Sequence, residues 1–178
     1  MFRLRRIIAV VIGCLTLSLP LAAPRADDGD PAGWSGTTDP RRRAFLVVTD
    51  AAGGPRLLTI ACLRDADEFA IYASDLPGLA NVKGAADLTL SVAGASFTLP
   101  GRVDTDGFGR LGFTGFRDLD GAGVKALARE LLPVLKAPGP MVVTVGSSAP
   151  LTIPLAEASP RKGIAGPLKA FEKICFGR

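Results

Sequence analysis

Apolar and polar residues alternate with a period of two along much of this chain, a pattern that predicts a succession of β-strands. The strongest is Arg56-Leu57-Leu58-Thr59-Ile60-Ala61-Cys62-Leu63. Leu58, Ile60 and Cys62 would share one face and Leu57, Ala61 and Leu63 the other. A strand that is apolar on both faces suits a central place in a sheet. Ala44–Thr49 precedes it, across the turn Asp50-Ala51-Ala52-Gly53-Gly54-Pro55. Glu68–Ala73 follows, with Phe69, Ile71 and Ala73 alternating inward. After a loop over Ser74–Ala86, the segment Asp87–Val92 places Leu88, Leu90 and Val92 on a buried face. Ala93-Gly94 then turns the chain into Ser96–Leu99 as a hairpin, and Asp106-Gly107 signals a second hairpin into Arg110–Thr114.

The period then lengthens to that of a helix. Val124, Leu127, Ala128, Leu131 and Leu135 recur at helical spacing opposite Lys125, Arg129, Glu130 and Lys136, and Asp120 is placed to cap the first turn. Pro133 removes a backbone donor, so the last turn should kink or loosen. Met141–Val145 and Leu151–Leu155 read as two more strands around Gly146-Ser147-Ser148, followed by a loop over Ser159–Gly163. A final helix is predicted with Gly166 as its cap, Pro167 at its first position and Gly177 at its end, with Leu168, Phe171 and Cys175 on one face. These elements predict a mainly β or α+β domain. It would be an antiparallel sheet or sandwich of about eight strands with one amphipathic helix and a C-terminal helix.

The first residues carry a different signal. Met1-Phe2-Arg3-Leu4-Arg5-Arg6 is basic, Ile7–Leu19 is apolar, and Pro20–Ala26 is rich in small residues before Asp27-Asp28. This is the layout of a secretory signal peptide over residues 1–26, and Pro20 ends the apolar run too early for a membrane span. Ala26 suits the last position before cleavage, whereas Pro24 stands where a small residue is preferred. Val11-Ile12-Gly13-Cys14 also has the form of a lipobox, which would make Cys14 a lipidated first residue. The short apolar run before Cys14 and the apolar continuation to Ala23 weigh against it. Residues 27–40 read as a flexible lead-in, and 41–178 as a single β-rich domain. Trp34, within the lead-in, is expected to plug the edge of the core rather than to meet a ligand.

Removing the leader changes the charge and the cysteine count. The leader takes four arginines and no acid, which brings the 21 Lys plus Arg down to 17, equal to the 17 Asp plus Glu. A neutral mature chain has no overall field to draw it to nucleic acid or to an anionic membrane. Cys62 and Cys175 remain as a pair, and in an oxidising compartment a pair predicts a disulfide. It would tie the last helix to the strongest strand across more than a hundred residues, worth about 4–5 kcal/mol in the chain-entropy model.

The chain has no histidine, which excludes Ser-His-Asp and Cys-His nucleophile systems and the usual zinc sites. Asp104 with Asp106, and Asp118 with Asp120, each sit two apart, as in a carboxylate pair or a Ca²⁺ loop. The loop pattern fails at its fifth and twelfth positions: Phe108 and Gly115 counted from Asp104, Ala122 and Arg129 from Asp118. Turn and cap roles explain Asp106 and Asp120. Gly107-Phe108-Gly109-Arg110-Leu111-Gly112 matches G-x-G-x-x-G but lies inside a predicted strand with no helix opening at its third glycine. It therefore argues for a bulge or close packing, not for a dinucleotide. Lys83, Arg102, Arg110 and Arg117 could form a patch for an acidic partner, or be scattered surface charge.

The signal peptide, the early Trp34, the strand Leu58-Thr59-Ile60-Ala61-Cys62 and the terminal Phe171-x-x-x-Cys175 together resemble small periplasmic proteins of Alphaproteobacteria. The nearest group is the invasion-associated locus B family. That resemblance implies an envelope-located protein that is not an enzyme, and the Val124–Leu135 helix departs from it. No catalytic, cofactor or metal residue is assigned. The expected function is a periplasmic, disulfide-stapled binding or envelope-assembly module whose partner is an envelope protein. A carrier of a small apolar ligand between the sheet and the Val124–Leu135 helix, or a carboxylate-based hydrolase, is the alternative.

Overall fold

The computed structural model describes residues 32–52, 54–106, 109–157 and 162–177. The expected signal peptide (residues 1–26) and Cys14 lie outside the described residues. Nine strands form one antiparallel sheet: β1 (Gly33–Asp39), β2 (Arg43–Thr49), β3 (Arg56–Leu63), β4 (Glu68–Ser74), β5 (Gly84–Val92), β6 (Ala95–Thr105), β7 (Leu111–Asp118), β8 (Pro140–Val145) and β9 (Leu151–Pro154). Two helices, α1 (Gly121–Lys136) and α2 (Ala165–Phe176), complete the fold. The strand order is β1-β2-β3-β4-β7-β6-β5-β8-β9, and the sheet curls into a nearly closed barrel. No helix among the described residues is long and apolar enough to cross a membrane.

Alternation decides which side chains fill the barrel. Leu58, Ile60 and Cys62 of β3 face inward with Ala44, Leu46 and Val48 of β2 and with Phe69, Ile71 and Ala73 of β4, all of them buried. Leu88, Leu90 and Val92 of β5 do the same beside Phe97 and Leu99 of β6. Strand β3 is paired on both sides, as its apolar faces predict. The β5–β6 hairpin turns at Ala93 and Gly94, both with positive φ (43° and 88°), the conformation that matches the twist of a two-residue hairpin.

Both helices pack on the inward side. Helix α1 lies against β5 and β6, and α2 against β1, β2 and β3. Leu127, Leu131, Val134 and Leu135 of α1 and Leu168, Phe171 and Cys175 of α2 join the single core. Asp120 caps α1, accepting from the Gly123 N–H at 2.6 Å. A Lys136–Glu172 ion pair links the two helices. Cys62 and Cys175 form the disulfide, with Cα atoms 5.7 Å apart and 113 residues of separation. Twelve residues of helix do not hold together alone in water, so α2 depends on this docking.

Several sequence expectations need correction. The antiparallel sheet of about eight strands is borne out, with nine among the described residues, and the one added is β1: Gly33–Asp39, expected to be part of a flexible lead-in, is an edge strand. Only Gly33 and Trp34 of it are buried, and the rest is Gly, Ser, Thr and Asp held by backbone pairing to β2, so no hydrophobic alternation announced it. Trp34 does plug the core edge: it is 1% exposed, and its indole Nε1–H donates to the Pro154 carbonyl at 2.8 Å. That bond draws the two edge strands β1 and β9 together. Strand β5 begins at Gly84, inside the expected loop, and β6 runs on through Pro100 and Gly101 to Thr105. Helix α1, by contrast, runs through Pro133 to Lys136, where the helical spacing places its end. Helix α2 starts at Ala165 after Ile164, so Gly166 is not its cap and Pro167 is its third residue. A missing N–H costs nothing there, because the first-turn donors have no partner within the helix.

Gly101 and Gly115 stand directly opposite each other on β6 and β7. A Cβ on Gly101 would collide with the Phe113 ring and the Thr114 carbonyl, and one on Gly115 would come within 2.9 Å of Leu99, Phe113 and the Pro100 carbonyl. The absent side chains let the buried Phe113 ring lie against the strands.

Two stability predictions follow from this packing. Gly101→Ala should lower the unfolding free energy by about 2 kcal/mol or more in urea titrations, whereas Gly121→Ala, with open space around it, should be close to neutral. Replacing both Cys62 and Cys175 with Ala should cost about 3–5 kcal/mol by the same measurement, and peptide mapping should find neither Cys62 nor Cys175 alkylated without reductant.

Candidate functional site

The carboxylates singled out by spacing do not converge. Asp104 pairs with Arg102 at 3.4 Å, both well exposed, and accepts from the Thr105 N–H at 2.8 Å. Asp106 closes the β6–β7 turn, accepting from the Arg110 N–H at 2.8 Å, and Asp120 is committed to the α1 cap. Asp104 lies opposite Gly112 near the start of β7, whereas Asp118 ends that strand. Six residues of strand put them about 20 Å apart. Carboxylate pairs that cleave a glycosidic bond work across about 5–9.5 Å.

The other sequence signals also resolve into local structure. In the G-x-G-x-x-G match, Gly109 has φ 78° at the β6–β7 turn and Gly112 lies in β7, so no helix opens there; Gly107 and Phe108 lie outside the described residues. Of the basic residues, Arg102 and Arg110 pair with Asp104 and Asp106. Arg117 turns to α1 and grips Glu130 through two hydrogen bonds, 2.5 and 3.1 Å, and Lys83 sits exposed just before β5. The Arg117 bonds hold the Glu130 carboxyl below its usual range, and the carboxylate in turn raises the guanidinium. Three of these four basic residues are therefore neutralised by their own neighbours, and the alternative of a basic patch for an acidic partner loses its support.

Among the described residues, two clefts open to solvent flank β1. One of about 530 Å³ lies beside the edge of β1, lined by Trp34, Gly36, Lys162 and Pro167 among others. One of about 170 Å³ lies between β1 and β9, where Asp50 and Asp75 approach Ile153 and Pro154. The space between α1 and the sheet, where an apolar ligand was expected as an alternative, is occupied by Leu127, Leu131, Val134 and Leu135, each no more than 1% exposed. No group of three or more metal-ligating side chains occurs among the described residues.

The feature that stands out is on the outside of the barrel. Across β2, β3, β4 and β7 one outward row reads Phe45, Ala61, Ala70, Phe116, and the next reads Val47, Thr59, Tyr72, Thr114. Alternation should make these positions polar, yet most are apolar. Tyr72 (39% exposed) and Phe116 (52%) are the large apolar side chains left exposed among the described residues. Their rings meet edge to face with centroids 6.1 Å apart. Partial burial pushes the Tyr72 hydroxyl above its ordinary pKa, and the nearby Glu68 charge adds to the shift.

Charge lines one margin of this apolar face. Arg43 holds Asp65 there through three hydrogen bonds of 2.6–3.0 Å. Its hydrogen bonds hold the Asp65 carboxyl below its usual range. Glu68 and Asp118 stand at the same margin, farther along the row. An exposed apolar patch with a polar rim is the usual mark of an interaction surface. Sequence reasoning missed it for two reasons. Tyr72 sat on the outward face of a strand read for its inward residues, and Phe116 lay beyond the expected end of its strand at Thr114. The available signal was the outward apolar residues on consecutive strands: Phe45, Leu57, Ala61 and Tyr72.

In comparisons with family models, curated proteins and solved structures, none matches this chain.

The Arg117–Glu130 contact predicts a pH dependence. A carboxylate whose folded pKa is lowered contributes stability above its unfolded value, and loses it as pH falls through the folded value. Glu130→Gln should therefore destabilise the protein by about 1 kcal/mol or less near neutrality, since the pair is partly exposed, and the difference should shrink toward zero on acidification in urea titrations at several pH values.

Proposed function

We propose that this chain is an exported, non-catalytic binding or assembly module of a bacterial cell envelope. It contacts a partner protein through the outward face of β2, β3, β4 and β7. The observation that carries this reading is the Tyr72–Phe116 pair, left exposed on the outward face of β2, β3, β4 and β7, where most positions are apolar although alternation calls for polar ones. Burying such a face against a partner recovers about 25 cal/mol per Å² of apolar area.

The compartment follows from different residues. The basic and apolar leader Met1–Ala26 has the layout of an export signal, and the Cys62–Cys175 disulfide suits an oxidising space such as the periplasm. The resemblance in layout to the invasion-associated locus B family points the same way. An apolar carrier has less to support it, because side chains of α1 occupy the space such a ligand would need. A hydrolase built on Asp104 and Asp118 would need the two carboxylates to meet, but Asp104 on β6 lies beside the start of β7 and Asp118 ends β7.

The test uses the exported full-length protein with a photoreactive phenylalanine at position 116, and at Thr98 as a control on the outward face of β6. Irradiation of intact cells should give a discrete heavier adduct from position 116 and none from position 98. Identical patterns from the two positions, or an adduct from neither, would sink the proposal.

A further inference from the structure

Glu68 and Asp118 are directly opposite each other on β4 and β7, side chains on the same outward face. Cross-strand neighbours have Cβ atoms about 4.5–5.5 Å apart, and like charges in that position destabilise a sheet. Among the described residues neither carboxylate has an ion pair or side-chain hydrogen bond. The cations that might have served them are engaged elsewhere. Arg43 is held by Asp65, Arg64 donates to the Leu119 carbonyl at 3.0 Å, and Arg117 is clasped by Glu130 on α1.

This repulsive pair adjoins the exposed aromatic pair. Phe116 precedes Asp118 by two residues on the same face of β7, and Ala70, opposite Phe116, follows Glu68 by two on β4. The apolar surface and the uncompensated negative charge therefore form one continuous outward area. Each is suited to a complement from outside the barrel: apolar cover for the aromatics and a cation for the facing carboxylates.

Resting on the reading of this face as a partner surface, we infer that its partner is a polypeptide segment carrying lysine or arginine beside apolar side chains. The cation sits between Glu68 and Asp118 while the apolar side chains cover Tyr72, Phe116 and Phe45. Binding turns a like-charge contact into an attractive one. The same two carboxylates reject an acidic segment of equal hydrophobicity, so they select the partner as well as hold it.

The test titrates the isotope-labelled exported protein with three short synthetic peptides, alternating Leu with Lys, Leu with Glu, and Ser with Lys, followed by NMR. The Leu–Lys peptide should bind, with shifts centred on Tyr72 and Phe116, and the other two should bind far more weakly. Its affinity should fall roughly tenfold or more in the Glu68→Gln/Asp118→Asn variant, and also in Phe116→Ser. The charge variant should keep or raise its melting temperature, since it removes a repulsion, so lost binding there cannot be blamed on unfolding. Undiminished Leu–Lys binding in that variant overturns the inference. So does equal binding of the Leu–Glu peptide; if both then depend on Phe116, the face remains a partner surface without charge selection. Peptide binding that ignores Phe116 altogether removes the partner-surface reading too. Phe116-dependent dimerisation of the free protein, or Phe116-dependent uptake by phosphatidylglycerol vesicles, would also overturn it by naming a different occupant.

Discussion

Cys62 and Cys175 join the inner face of β3 to the last turn of the last helix, and the integrity of the barrel interior depends on that link. The sheet curls around a single core, and along β1, β2 and β3 part of that core is α2 itself. A twelve-residue helix brings too few hydrogen bonds and too little apolar area to stay in place by propensity. Tethering it removes from the unfolded chain the freedom of a loop of more than a hundred residues. With α2 in place, Phe171 and Leu168 are buried, and Lys136 can reach Glu172 to hold the two helices together.

The second closure is made by Trp34. Strands β1 and β9 lie at opposite ends of the strand order, and an open antiparallel sheet would leave both edges bare. The indole bonds to the Pro154 carbonyl, while the backbone of Trp34 accepts cover from Lys162, whose carbonyl takes the Trp34 N–H at 2.9 Å. One large side chain thus fills the core and satisfies its own donor across the seam. Its neighbours in β1 are small and polar, so the strand contributes backbone pairing and little else to the core.

Once the interior is complete, what remains unexplained is the outside. Several charged groups among the described residues pair with a neighbour: Arg43 with Asp65, Arg102 with Asp104, Arg110 with Asp106, Arg117 with Glu130. The exposed Tyr72 and Phe116 and the facing carboxylates Glu68 and Asp118 gather in one place on the outer surface. Unfavourable features that cluster on a surface are expected where a protein trades stability for recognition.

Much of the fold was legible because it rests on local period. Alternation located β2, β3, β4 and β5, the 3.6-residue repeat located α1, Asp120 marked its start, and two cysteines left after the leader implied their own pairing. These signals survive in a sequence because burying one face of a strand or helix demands them wherever the element ends up. Strand β1 escaped, since an edge held by backbone hydrogen bonds needs few apolar side chains, and the ends of β5 and β6 blurred for the same reason. Of the candidate site, only scattered outward apolar residues such as Phe45 and Tyr72 were legible, not their meeting. Tyr72 and Phe116, like Glu68 and Asp118, are neighbours only because β7 pairs with β4 after the β5–β6 hairpin has been set aside. By itself the sequence determined which residues are inward and how the chain is punctuated, because period and turn chemistry are local. Tertiary structure alone decided that the sheet curls into one barrel and which outward residues meet, because strand order and register are long-range pairings.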